Sequence, residues 1–134
     1  MNAAQNIGIS FYQNLGKLFY AIAASDKVVR ESEYTTLKKI VKSAWLDIDD
    51  LEDEFGADAA FQIEIVFDWL DYKELVAEDS FYEFEDFYLE NKSLFTDNVK
   101  KLVWNTSNSI ASAFSGKNKS ELMMLGKLRL IFEN

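Results

Sequence analysis

Not one proline interrupts the 134 residues of this chain, and glycine occurs only five times, so nothing chemically stops long helices. Apolar residues recur accordingly at spacings of three and four. Ile7, Phe11, Leu15, Leu18 and Ile22 mark one face of a helix predicted over residues 4–24. Tyr34, Leu37, Val41 and Trp45 mark a second, whose acidic start at Glu31 and Glu33 suits the positive end of a helix dipole. A third, over 57–73, carries Ile63, Val66, Phe67 and Leu70, and a shorter one carries Phe81, Phe84, Phe87 and Tyr88. A long helix is predicted from Leu94 through Phe95, Val99, Leu102, Val103 and Ile110, then a turn at Ser115–Lys117, then a last helix bearing Leu122, Leu125, Leu128 and Phe132. Asn118 with Glu121 three positions on has the form of a capping box. The acidic segment Asp47–Gly56 reads as a short helix or loop that breaks at Gly56. Together these predict an all-α fold, a single compact bundle of about seven helices.

The chain also repeats itself. Ile22-Ala23-Ala24-Ser25-Asp26, then Ser32-Glu33, returns as Ile110-Ala111-Ser112-Ala113-Phe114, then Ser120-Glu121, at an offset of 88 positions. Ile7, Phe11, Leu15, Leu37 and Ile40 fall on Phe95, Val99, Val103, Leu125 and Leu128 at the same offset. Any two amphipathic helix pairs share some apolar matches by periodicity alone. The identities at Ile, Ala, Ser and Glu favour two helix-turn-helix units of one ancestry.

This length fits one domain, residues 1–134, that buries about two-thirds of its unfolded surface. With 49% hydrophobic and 15% aromatic residues and no cysteine, the core forms without metal or disulfide. No signal-peptide pattern or membrane-length apolar run is present, so the expected location is cytoplasmic, without membrane insertion. A formal net charge of -9 repels nucleic-acid phosphates and leaves basic proteins or cations as the matching partners. Histidine and cysteine are both absent, which removes the usual general base, thiol nucleophile and zinc ligands. There is no phosphate-cradling glycine loop and no G-x-S-x-G elbow, so the expectation is a protein that is not an enzyme.

Three clusters hold what polar chemistry remains. Asp26 and Glu33 meet at the mouth of the first helix turn, and Glu121 joins them if the two halves face each other, which makes a candidate site for a divalent cation such as calcium or magnesium. The competing reading is structural: Asp26 accepts from free amides at the next helix start, and Glu33 occupies its favourable first turn. The run Asp47, Asp49, Asp50, Glu52, Asp53 and Glu54 fails as a calcium loop, since Leu51 and Glu52 stand where an oxygen ligand and a glycine are required; it reads as a solvated acidic helix start. In Glu78–Glu90, acids alternate with rings, and Tyr82, Phe84, Glu85 and Tyr88 are candidate partner-binding residues, against a reading of core packing with tyrosines at the rim. Met123 and Met124 read as gap fillers of the last helix.

The segment Leu15-Gly16-Lys17-Leu18-Phe19-Tyr20-Ala21-Ile22-Ala23-Ala24-Ser25-Asp26, with Val29 and Glu33, resembles the signature of the tellurite-resistance TerB-like domains. Its specific part covers residues 15–41, with a weaker echo over 103–132. The resemblance implies an all-helical fold of two related halves, and divalent cations held by acidic residues that map here onto Asp26, Glu33 and Glu121. Lys27 stands where the family has glycine, Arg30 where a serine cap is usual, and Phe114 where a second aspartate is expected. Lys27 in a left-handed turn would cost on the order of 1 kcal/mol or force another turn type. Resemblance further implies a stress-associated scaffold or interaction domain with a protein partner, of open oligomeric state. The alternative reading is an acidic mimic that occupies a basic groove on its target.

Overall fold

The computed structural model describes residues 3–48, 52–53, 56–113 and 118–133, with side chains from residue 8 onward. Its α-helices are α1 (Ala3–Ala23), α2 (Glu31–Ile40), α3 (Gln62–Lys73), α4 (Ala77–Glu90), α5 (Asp97–Ser112) and α6 (Lys119–Phe132). The second half of α1 is apolar around nearly its whole circumference, and a helix so patterned must be enclosed on every side. Leu15, Leu18, Phe19, Tyr20, Ala21, Ile22 and Ala23 are all buried, and α1 packs against α3, α4, α5 and α6. It is the axle of the bundle. Gly16 allows a close approach to α3: a Cβ there would lie 2.7 Å from the Ile63 carbonyl oxygen and 3.0 Å from Val66 Cβ, so α1 and α3 meet almost backbone to backbone.

Helix α2 lies on α5 and continues without a break into a π-helical turn, Val41–Trp45, closed by the Leu46 amide donating to the Val41 carbonyl at 3.0 Å. The turn buries both Val41 and Trp45, and the Trp45 indole Nε1 donates to Thr106 Oγ1 on α5 at 3.2 Å. Helix α3 ends with Glu74 in a left-handed conformation (φ 53) and the Leu75 amide bonded back to the Leu70 carbonyl, the closure that usually takes glycine.

Phe95, predicted within the fifth helix, instead sits in the loop before it. Thr96 caps α5 by accepting from the Val99 amide at 3.3 Å, so the helix starts at Asp97. Freed from the helix, the Phe95 ring meets Phe11, Phe84, Tyr88 and Phe132 at centroid separations of 5.3, 5.8, 5.0 and 6.1 Å.

Six α-helices are present among the described residues rather than about seven, because the described part of 47–58 forms a turn. Asp53, expected to be solvated, is buried there: its carboxylate accepts from the Ala57 amide at 3.2 Å and from Gln62 Nε2 at 3.0 Å. Gly56 supplies the predicted break with φ 79. Asp49, Asp50 and Glu54, together with Phe114 and the predicted turn at 115–117, lie outside the described residues. No described helix is long and apolar enough to cross a membrane.

Candidate functional site

The start of α2 and the start of α6 come together against the end of α1, and this junction gathers Asp26, Glu33 and Glu121. Each glutamate occupies the third position of its helix and reaches back to the residue that precedes it. Glu33 Oε1 accepts from the Arg30 amide at 2.8 Å, and Glu121 Oε1 accepts from the Asn118 amide at 3.0 Å. Asn118 completes its half of the box by accepting from the Glu121 amide at 2.8 Å. Arg30 has no side-chain acceptor to do the same, and instead extends its guanidinium to Asp26 Oδ2 at 3.0 Å. The same Asp26 oxygen accepts from Asn118 Nδ2 at 2.8 Å, which ties the two helix starts across the junction.

Glu33 and Glu121 are 1% and 2% exposed, and their carboxyls hydrogen-bond to each other. Burial, followed by that bond and the Glu121 charge, pushes the Glu33 carboxyl up to about 8, against the opposing pull of the Arg30 amide and guanidinium. Glu33 is therefore the group of this corner that holds its proton above the ordinary carboxyl range, with Arg30 as its positive neighbour. The candidate cation ligands Asp26, Glu33 and Glu121 thus accept hydrogen bonds from Arg30 and Asn118, and among the described residues no group of three or more acidic side chains is placed to hold a metal ion. The expected glycine position is filled by Lys27 at φ 71, with the Asp26 carboxylate accepting from the Val28 amide at 3.1 Å to fix the turn.

The four candidate partner-binding residues divide. Phe84 and Tyr88 are buried, which corrects their assignment to the surface: with Ala77 and Phe81 they form the single stripe that α4 lays on the core. Tyr82 and Glu85 lie on the outer side, where they line a groove of about 250 Å³ with Phe81 beneath and Lys127, Leu130 and Ile131 of α6 opposite. Tyr82 is 53% exposed and Leu130 64% exposed. The Lys127 ammonium stands 5.8 Å from the Tyr82 ring centre and 6.0 Å from that of Phe81. Met124 fills the core as predicted, whereas Met123 faces out.

Sequence reading missed Arg30 and Asn118 as members of the corner and Lys127 and Leu130 as members of the groove. A signal for the first pair existed, since Arg30 and Asn118 each precede a glutamate by three positions at the repeat offset. Compared with protein-family models, with curated proteins and with solved structures, the chain matches none of them.

Proposed function

We propose that this protein is a non-catalytic interaction module, related to the TerB-like domains, which docks a protein partner on the face between α4 and α6. The observation that carries the docking is the groove itself: large apolar side chains, Tyr82 and Leu130, stand more than half exposed on opposite walls over a buried ring, Phe81. Kinship with the TerB-like domains draws support from α2 and α6, which begin at Glu31 and Lys119, the repeat offset, each with a buried glutamate in its first turn. Further support comes from Lys27, which takes the left-handed conformation that glycine serves at that place in the family's signature. The stress-associated role rests on the same resemblance.

A pull-down that compares wild type with Tyr82→Ala and Leu130→Ser at low and high salt tests the docking. Both variants should lose the captured partner at either salt while melting at the wild-type temperature. Capture that survives both changes and disappears with salt would replace this reading with the acidic mimic, whose contact is electrostatic and screened.

A further inference from the structure

The groove between α4 and α6 continues beyond Tyr82. Lys127, at its edge, also lines a hollow of about 100 Å³ with Ser25, Glu78, Ser120 and Met123. Ser25 and Glu78 line in turn a larger cavity of about 470 Å³, set between the α1–α2 turn and the α3–α4 turn. The three hollows thus follow one another, linked by Lys127 and then by Ser25 and Glu78 in their linings, and together are called the furrow, from Leu130 past Lys127 and Glu78 to Glu74.

Its two ends differ in chemistry. The Leu130 end is lined by the apolar side chains of Phe81, Tyr82, Leu130 and Ile131, with Glu85 and Lys127 as its two charged members. The far end presents the carboxylates of Asp71, Glu74 and Glu78 against one ammonium, Lys27, over a floor that includes Tyr20 and Val29. Burial, and then the charges of Asp68 and Glu74, holds the Asp71 carboxyl above its ordinary range. Along α4, Glu78 to Glu85 spans about 10 Å, the length of roughly two turns of an incoming helix.

Resting on the docking reading above, we infer that the furrow receives a basic amphipathic segment of a partner protein, with apolar side chains at the Leu130 end and a lysine or arginine among Asp71, Glu74 and Glu78. A second copy of this chain is a poor occupant, since each carries a net charge of -9.

Titration of the full chain with two amphipathic helical peptides of the same pattern, one of leucine and lysine and one of leucine and glutamate, tests the inference by heteronuclear NMR in about 0.15 M salt. The leucine–lysine peptide should move the amides of Ser25, Glu78, Ser120 and Lys127. Glu74→Lys and Glu78→Lys should each weaken it about fivefold or more, while the control Asp47→Lys changes affinity less than about twofold. Binding that is lost in Leu130→Ser but indifferent to Glu74→Lys and Glu78→Lys would keep the docking face and overturn the basic segment. Equal binding of the leucine–glutamate peptide, or no binding of either, would overturn it as well. Amide shifts confined to surfaces outside the furrow would count against both readings.

Discussion

The carboxyl of Glu33 hydrogen-bonds the carboxyl of Glu121 where the first turns of α2 and α6 meet, and neither residue has appreciable access to solvent. Facing this pair are Arg30, whose guanidinium is 4.0 Å from Glu33 Oε1, and Asp26, joined to both Arg30 and Asn118. In the folded protein Glu33 keeps its proton up to about pH 8, whereas an unfolded glutamate releases it near 4.5. Between those values the folded form binds more protons, so this pair's contribution to stability is full below about 4.5 and is lost as pH rises to about 8. Urea midpoints should therefore fall between pH 5 and pH 9. Glu33→Gln, whose neutral amide can still donate to Glu121, should be less sensitive over that range and exceed wild type at pH 9. A wild-type midpoint that stays flat would disprove the raised Glu33 carboxyl.

Asn118 serves two acceptor and donor roles at once, capping α6 and holding Asp26. Asn118→Ala should cost about 1 kcal/mol through the lost cap. Aspartate is ordinarily as good a cap, but here it would set a carboxylate against Asp26 in place of an amide 2.8 Å away. Asn118→Asp should thus destabilise at pH 7 and recover relative to wild type at pH 4, when chemical denaturation is compared at the two values.

Two helical glycines should respond in opposite directions. Gly16→Ala places a methyl group 2.7 Å from a backbone oxygen of α3, and the forced separation should cost about 1–3 kcal/mol despite alanine's better helix propensity. Gly126→Ala meets nothing within 4 Å and should stabilise by about 0.5–1 kcal/mol. Thermal melts of the two variants check the pair, and a stabilised Gly16→Ala would contradict the close approach of α1 and α3.

Millimolar calcium, magnesium or manganese should leave the melting temperature unchanged, because the oxygens of the corner are already committed to Arg30, Asn118 and each other. A ligand at 100 times its dissociation constant adds about 2.7 kcal/mol of stability. A rise of that size, absent in Asp26→Ala, would reinstate the cation reading.

The helices were legible because their apolar spacing has no competitor in a chain without proline. Some helix ends followed from the apolar stripe itself, as at the end of α1 and of α3, and the start of α6 was announced by Asn118 and Glu121. Phe95 was misplaced because its spacing to Val99 suits a helix equally well, and only the Thr96 cap separates them. In α4 the rings of Phe84 and Tyr88 sit at stripe spacing while Tyr82 does not, so the division between core and groove follows from the period once a single buried stripe is imposed. Periodicity on one helix says nothing of a neighbour, and the opposite wall of the groove, Lys127 and Leu130, comes from α6. The raised carboxyl of Glu33 comes first from its burial beside Glu121, which no spacing encodes.

The π turn at Val41–Trp45 holds one residue more than α geometry would place there. Removing one residue from it would rewind the segment and turn Trp45 by about 100° around the helix axis. Its indole would lose Thr106. Those five residues act as a phase adjuster, which sets the side from which Trp45 reaches α5.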